Sequence, residues 1–222
     1  MGLDMYLYRF PRYKEYTPQN IMTVDEYFSW LESEKGKKYT FEDWCGYSVK
    51  DLPEGEDLEY FKKMRVPQKY CWDPDGKYSY VGLREVVAEW RKANAVHKWF
   101  VDNVQGGEDD CEWHDEVTKE TLEELRDVCK EVIENAVLVN GKVINGYTWD
   151  GKREVPHYED GKIVVNSEVC SALLPTADGF FFGGTEYNEW YLDDVRYTYD
   201  ICTRLLEETD FDKQMIYYLS SW

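Results

Sequence analysis

Basic residues are scarce in this chain. Twenty-six Lys and Arg stand against 45 Asp and Glu, and the formal charge is −19. A field of that sign repels the phosphate backbone of nucleic acid and the anionic face of a membrane, so neither is expected as a direct partner. Histidine is scarcer still, with only His97, His114 and His157. No stretch of about 18 consecutive apolar residues occurs, which excludes a helical membrane span. The six cysteines, Cys45, Cys71, Cys111, Cys129, Cys170 and Cys202, form no Cys-x-x-Cys pair. With no leader-like N-terminus, free thiols in a reducing host-cell cytoplasm are expected.

The motifs of chemistry are missing too. There is no GxSxG, no HExxH, no kinase set, no P-loop and no GxGxxG, so neither an enzyme nor a bound cofactor is expected. Cys111 and His114 are a lone Cys-x-x-His pair beside Asp109, Asp110 and Asp115; without a second pair they are a poor zinc site, and no metal is expected. No fixed-period repeat is present, and 222 residues suit one core, read as a single domain over 1–222.

Aromatics are plentiful, with 19 Tyr, 9 Trp and 9 Phe. They suit a packed core or a surface that stacks on planar ligands. Acid is unevenly spread. Residues 105–135 carry 12 acids and 3 bases, and 185–212 carry 9 acids and 2 bases. Residues 81–104 carry 4 bases and 3 acids, an island that is not acidic.

The spacing predicts strands at both ends, over 4–10 and 214–222, and a third at Phe180-Phe181-Phe182 between glycines. Capping boxes at Thr23–Glu26 and Thr121–Glu124 predict helices over 24–34 and 122–136, and Thr185 is a candidate cap for a last helix. Shorter helical pieces are expected at 39–44 and 56–64, a turn at Asp75-Gly76, and a short strand over 77–81. Four Asn-Gly or Asp-Gly pairs between 140 and 161 predict a hairpin-rich insertion over 137–170. The fold class is α+β: a small sheet holding both terminal strands, packed by about three main helices.

The longest apolar pattern runs over 83–104 and reads as one helix, stopped by Gly106-Gly107. Asn94 and His97 fall inside its apolar face. A polar group turned inward must find partners or cost roughly 1–3 kcal/mol. They line a pocket, or they are satisfied within the core. On the pocket reading, Arg91 and Lys92 would hold a phosphate, Asn94 and His97 a base or ribose edge, and Trp90, Tyr187 and Tyr191 would stack. Thr185 opens the last helix beside Gly183-Gly184, where backbone amides could hold an anion.

The blocks MGLDMYL (1–7), EWRKANAVHKWF (89–100), LLPTADGFFFGGTEYNEWYLDD (173–194) and YYLSSW (217–222) resemble a group of uncharacterised phage and prophage proteins. Some members carry a phosphoglycerate kinase label, which the short chain and the missing nucleotide loop do not support. The resemblance implies a phage-encoded accessory protein of the host cytoplasm. Two functions are then expected. One is counter-defence by sequestering a small anionic ligand such as a nucleotide-derived immune signal. The other is an acidic inhibitor that imitates nucleic acid, as anti-CRISPR proteins do, and blocks a basic host defence protein. Symmetry statistics alone suggest a homodimer.

Overall fold

The first strand, β1 (Asp4–Pro11), is the centre of the fold. It pairs antiparallel with β4 (Glu85–Arg91) on one edge and with the last strand, β7 (Gln214–Ser221), on the other. The terminal strands share one sheet, as expected, and there they are direct neighbours: Asp4 lies opposite Ser221 and Pro11 opposite Gln214. The sheet is packed on both faces, so β1 buries side chains on each and its sequence shows no polar alternation. Met5 and Leu7 enter one core with Trp90, Phe100, Leu125, Val195 and Ile216. Tyr8 and Phe10 enter another with Ile21, Val24, Phe28 and Phe61. The computed structural model describes residues 2–69, 73, 75, 77–179 and 181–222.

Helices cover the two faces. On one side lie α1 (Pro18–Glu32), the short α2 (Phe41–Cys45) and α3 (Glu56–Met64), with the two-stranded ribbon β2 (Val66–Lys69) and β3 (Ser79–Gly82). On the other lie α4 (Asn94–Asn103), α5 (Lys119–Asn135) and α7 (Glu189–Glu208), with α5 against α7. The short helices expected at 39–44 and 56–64 correspond to α2 and α3. The turn expected at Asp75-Gly76 includes Gly76, which lies outside the described residues. Among the described residues no helix is long and apolar enough to cross a membrane.

Residues 83–104 do not form one helix. They make β4, a tight turn and then α4, and within the sheet the register of β4 against β1 slips by one residue: Leu7 faces Ala88 but Tyr8 faces Val86. Val87 is the extra residue of this bulge. It lets Val87, Ala88 and Trp90 all reach one core, and that spacing imitates a helical stripe. The break comes at Lys92, held at φ +61°, a conformation that no helix interior contains. The expected stop is present, with Gly106 and Gly107 at φ +64° and +86° and the Gly107 amide bonded to the Val101 carbonyl at 2.8 Å.

β4 also takes the place expected for a Phe strand. Phe180 lies outside the described residues, Phe181 sits in a turn at φ +64°, and Phe182 follows in an irregular loop. The caps are displaced as well. Thr17, not Thr23, caps α1; Thr118, not Thr121, caps α5; Asn188, not Thr185, caps α7. Thr23 instead bonds back to the Gln19 carbonyl inside α1. Thr17 and Thr118 lie upstream of the expected caps, and a helix whose core face is buried extends back to the first residue that can close its orphan amides; α7 instead starts later, because Asn188 lies downstream of Thr185 and accepts from the Trp190 and Tyr191 amides.

The insertion is one long hairpin, β5 (Leu138–Trp149) with β6 (Glu154–Val164), followed by a short helix, α6 (Ser167–Leu173). Of the four expected turns only Asp150-Gly151 is the hairpin turn. Gly146 takes φ +108° where the register slips, and Gly141 and Gly161 pair across the strands. The Ile163 side chain lies over Gly141, and that of Val143 over Gly161, where a Cβ would come within 2.8 and 2.6 Å of them. These glycines make room for side chains rather than for a reversal of the chain.

Candidate ligand-binding site

The turn from β4 into α4 faces the irregular segments 174–179 and 181–188 that precede α7. Three backbone groups of those segments are gripped by Asn94. Its amide nitrogen donates to the carbonyls of Phe182 at 3.2 Å and Gly184 at 2.8 Å, and its oxygen accepts from the Ala177 amide at 3.1 Å. Gly183, at φ +96°, passes so close that a Cβ there would stand 3.1 Å from the Lys92 Cβ. Further ties are Thr176 Oγ1 to the Thr185 carbonyl and Tyr191 Oη to the Leu174 carbonyl.

A cavity of about 280 Å³ lies between these walls. Arg91 and Lys92 stand at one side. Arg91 is 68 % exposed and reaches Asp4 only at 3.7 Å. Lys92 is exposed and its ammonium has no hydrogen bond or ion pair among the described residues. The first turn of α4 contributes Ala95 and Val96. The residue before that helix, Ala93, offers no side-chain cap, so the amides there retain free donor capacity. From α7 come Trp190, Tyr191 and Asp194, and from the preceding loop Glu186. The cavity opens into a wider groove of about 710 Å³ beneath the hairpin, walled by Tyr147, Phe181 and Trp190. Lys92 and Trp190 belong to both spaces.

Asp194 is the unexpected member. It is half-buried, its carboxylate has no hydrogen-bond or ion-pair partner among the described residues, and burial pushes it up to about 7, with help from neighbouring Asp193. Perturbed carboxyls in concave sites are functional candidates when geometry agrees.

Several expected ligand contacts are internal instead. Trp90 points into the core, donating to Thr198 Oγ1 at 3.0 Å beside Phe100 and Tyr197. Asn94 lines the cavity, but both its N–H donors are spent on the loop. His97 is 1 % exposed. Its Nε2 lies 3.0 Å from Asp109 Oδ1 and its Nδ1 2.7 Å from Tyr218 Oη. A carboxylate only accepts, so Nε2 carries the proton and Nδ1 accepts from the tyrosine. Burial holds this imidazole below its usual range, with the Asp109 charge opposing. Tyr187 stacks edge-on against Tyr191 at 5.0 Å and accepts the Thr176 amide. Thr185 lines only the outer groove.

Arg91 and Lys92 are therefore the expected residues that the inner cavity brings together with open valences, while Tyr191 lines it with its hydroxyl already committed. Asp194, Glu186, Trp190, Ile144 and Tyr147 were not singled out by sequence. Asp194 is one acid among nine in its stretch, and only its place three residues after Tyr191, beside the inner stripe of α7, set it apart. Near Cys111, His114 pairs with Asp110 at 2.7 Å, and among the described residues no three potential metal ligands gather. No family model, curated protein or solved structure matches this chain.

Proposed function

We propose that the chain is a binding protein that captures a small anionic ligand with a planar group, of the nucleotide class, at the junction of β4, α4 and α7. The observation that carries this reading is the pairing of Lys92's uncommitted ammonium with a cavity that opens onto exposed aromatic rings. Lys92 is also held at φ +61°, a costly conformation for a side chain of its size, and such strain tends to collect at functional positions. Arg91 adds a second cation, the α4 amides favour negative charge, and Trp190 and Tyr147 offer faces for a base. A volume near the low end of ligand pockets suits a mononucleotide-sized guest. No histidine lines the cavity, and His97 has both nitrogens committed, which favours capture over turnover. In a phage-encoded protein this capacity would serve to sequester a nucleotide-derived immune signal.

Charge reversal at the turn tests it. The double substitution Arg91→Glu, Lys92→Glu should weaken binding of nucleoside monophosphates at least tenfold in calorimetry, with little change in melting temperature of the free protein. Equal affinity in the double variant would overturn the reading.

A second reading has one observation in its favour. On α5 the exposed acids Glu120, Glu124, Asp127, Glu131 and Glu134 repeat at four and three and so form one stripe. Such a stripe suits a basic protein partner. Binding of that kind should fall steeply between about 50 and 200 mM salt and be lost on reversing Glu124 and Glu131, while nucleotide binding stays. Insensitivity to salt would exclude it.

A further inference from the structure

We propose that Asp194 is the recognition residue of the cavity and receives the paired N–H donors of a guanine base, which makes guanine nucleotides the ligand class. This rests on the ligand-capture reading above. The argument begins with what Asp194 lacks. No donor that shares the cavity reaches it: Asn94 is committed to the Phe182 and Gly184 carbonyls and Tyr191 to the Leu174 carbonyl, and neither Arg91 nor Lys92 pairs with it. Asn188 points its oxygen back to the Trp190 and Tyr191 amides to cap α7. The remaining acid of the cavity, Glu186, can only repel, as does Asp193 next to it on α7. A half-buried carboxylate with no protein donor is left for a donor that arrives from outside.

The chemistry of the donor follows. A carboxylate offers two adjacent acceptors, and guanine offers N1–H and the 2-amino group side by side, one for each oxygen. Adenine presents a lone pair at N1 with a single amine, which sets an acceptor against the carboxylate. Hypoxanthine keeps N1–H and lacks the 2-amino group. With the base edge on Asp194 beside Trp190 and Tyr191, the sugar and phosphate would leave through the opening shared with the outer groove, where Lys92 stands.

Calorimetric titration of the full chain with guanosine, inosine and adenosine 5′-monophosphates and with ribose 5-phosphate tests this. Guanosine monophosphate should bind at least tenfold more tightly than adenosine monophosphate, with the inosine compound between. Asp194→Asn should weaken the guanine ligand tenfold or more and leave ribose 5-phosphate unchanged, a size in keeping with a bidentate base contact. The variant is isosteric and removes an unpaired charge, so it is expected to fold. Equal affinity for the adenine and guanine ligands, or a variant that keeps its guanine affinity, would overturn the assignment while leaving anion capture standing. Failure of all four ligands to bind would remove both.

Discussion

Replacing His97 by alanine is expected to cost about 3–5 kcal/mol of folding stability, read as a lowered urea midpoint. The size follows from three losses at once. The imidazole is sealed and packs edge-on against Phe182 at 5.2 Å, so its removal leaves a cavity. The Tyr218 hydroxyl, on a residue 2 % exposed, loses its acceptor. Asp109 loses the donor that links it to the core, although Trp222 Nε1 still reaches it at 3.1 Å. His97→Phe separates these contributions: it restores the ring and should recover the packing but not the hydrogen bonds, for a cost of about 1–3 kcal/mol. The pH dependence has a defined sign. Burial lowers the folded-state pKa of His97, so as pH falls through the ordinary histidine range near 6.5 the unfolded chain takes up a proton that the folded chain refuses. Stability contributed by neutral His97 is present above that range and is lost below it. The phenylalanine variant should lack this slope; an identical slope in both proteins would place the titration elsewhere.

Asp194→Asn should act in the opposite direction. Its folded-state carboxyl is pushed up to about 7, against about 3.9 in an unfolded chain, and each unit is worth 1.36 kcal/mol. The bound from that difference is about 4 kcal/mol, and partial exposure reduces it to about 2–3. The sign is that of a raised acid: its stabilising share is full below about 3.9 and is lost as pH rises through about 7, so the ionised carboxylate is a burden at pH 8. The asparagine variant should therefore melt about 4–10 °C higher at pH 8 and be no more stable than the parent near pH 4. No gain at pH 8 would show that the carboxylate is solvated or paired in solution. A stabilising change that weakens guanine binding is the usual trade between stability and a strained site.

Much of the architecture was legible because it is written locally. The terminal strands, α5, α7 and the presence of a hairpin all follow from periodicity and turn residues within a few positions. The split of residues 83–104 was not, because the bulge at Val87 is defined only by the partner strand β1. The fate of the polar pair was hidden for the same reason. Asn94 and His97 find partners 83 to 121 residues away, apart from Asp109. Sequence shows that a buried amide and imidazole need satisfaction; only the fold shows that they have it. Lys92 and Arg91 were visible as cations in a stretch that is not acidic, whereas Asp194 was camouflaged by the acids around it.

The position of β1 between β4 and the final strand has a consequence for how the molecule is made. Its outer edge stays bare until residues 214–221, more than 200 positions later, have left the ribosome. The eight-residue strand must wait through the synthesis of all the residues between the two with an apolar face and unsatisfied amides, and pairing across so long a separation is among the slowest steps a small domain can face. During that interval α1 and α3 can shelter one side of it, since their residues precede most of the chain. Folding would then proceed from the Tyr8 and Phe10 side first, and the ligand cavity, built from α4 and α7, would be among the last features to take shape.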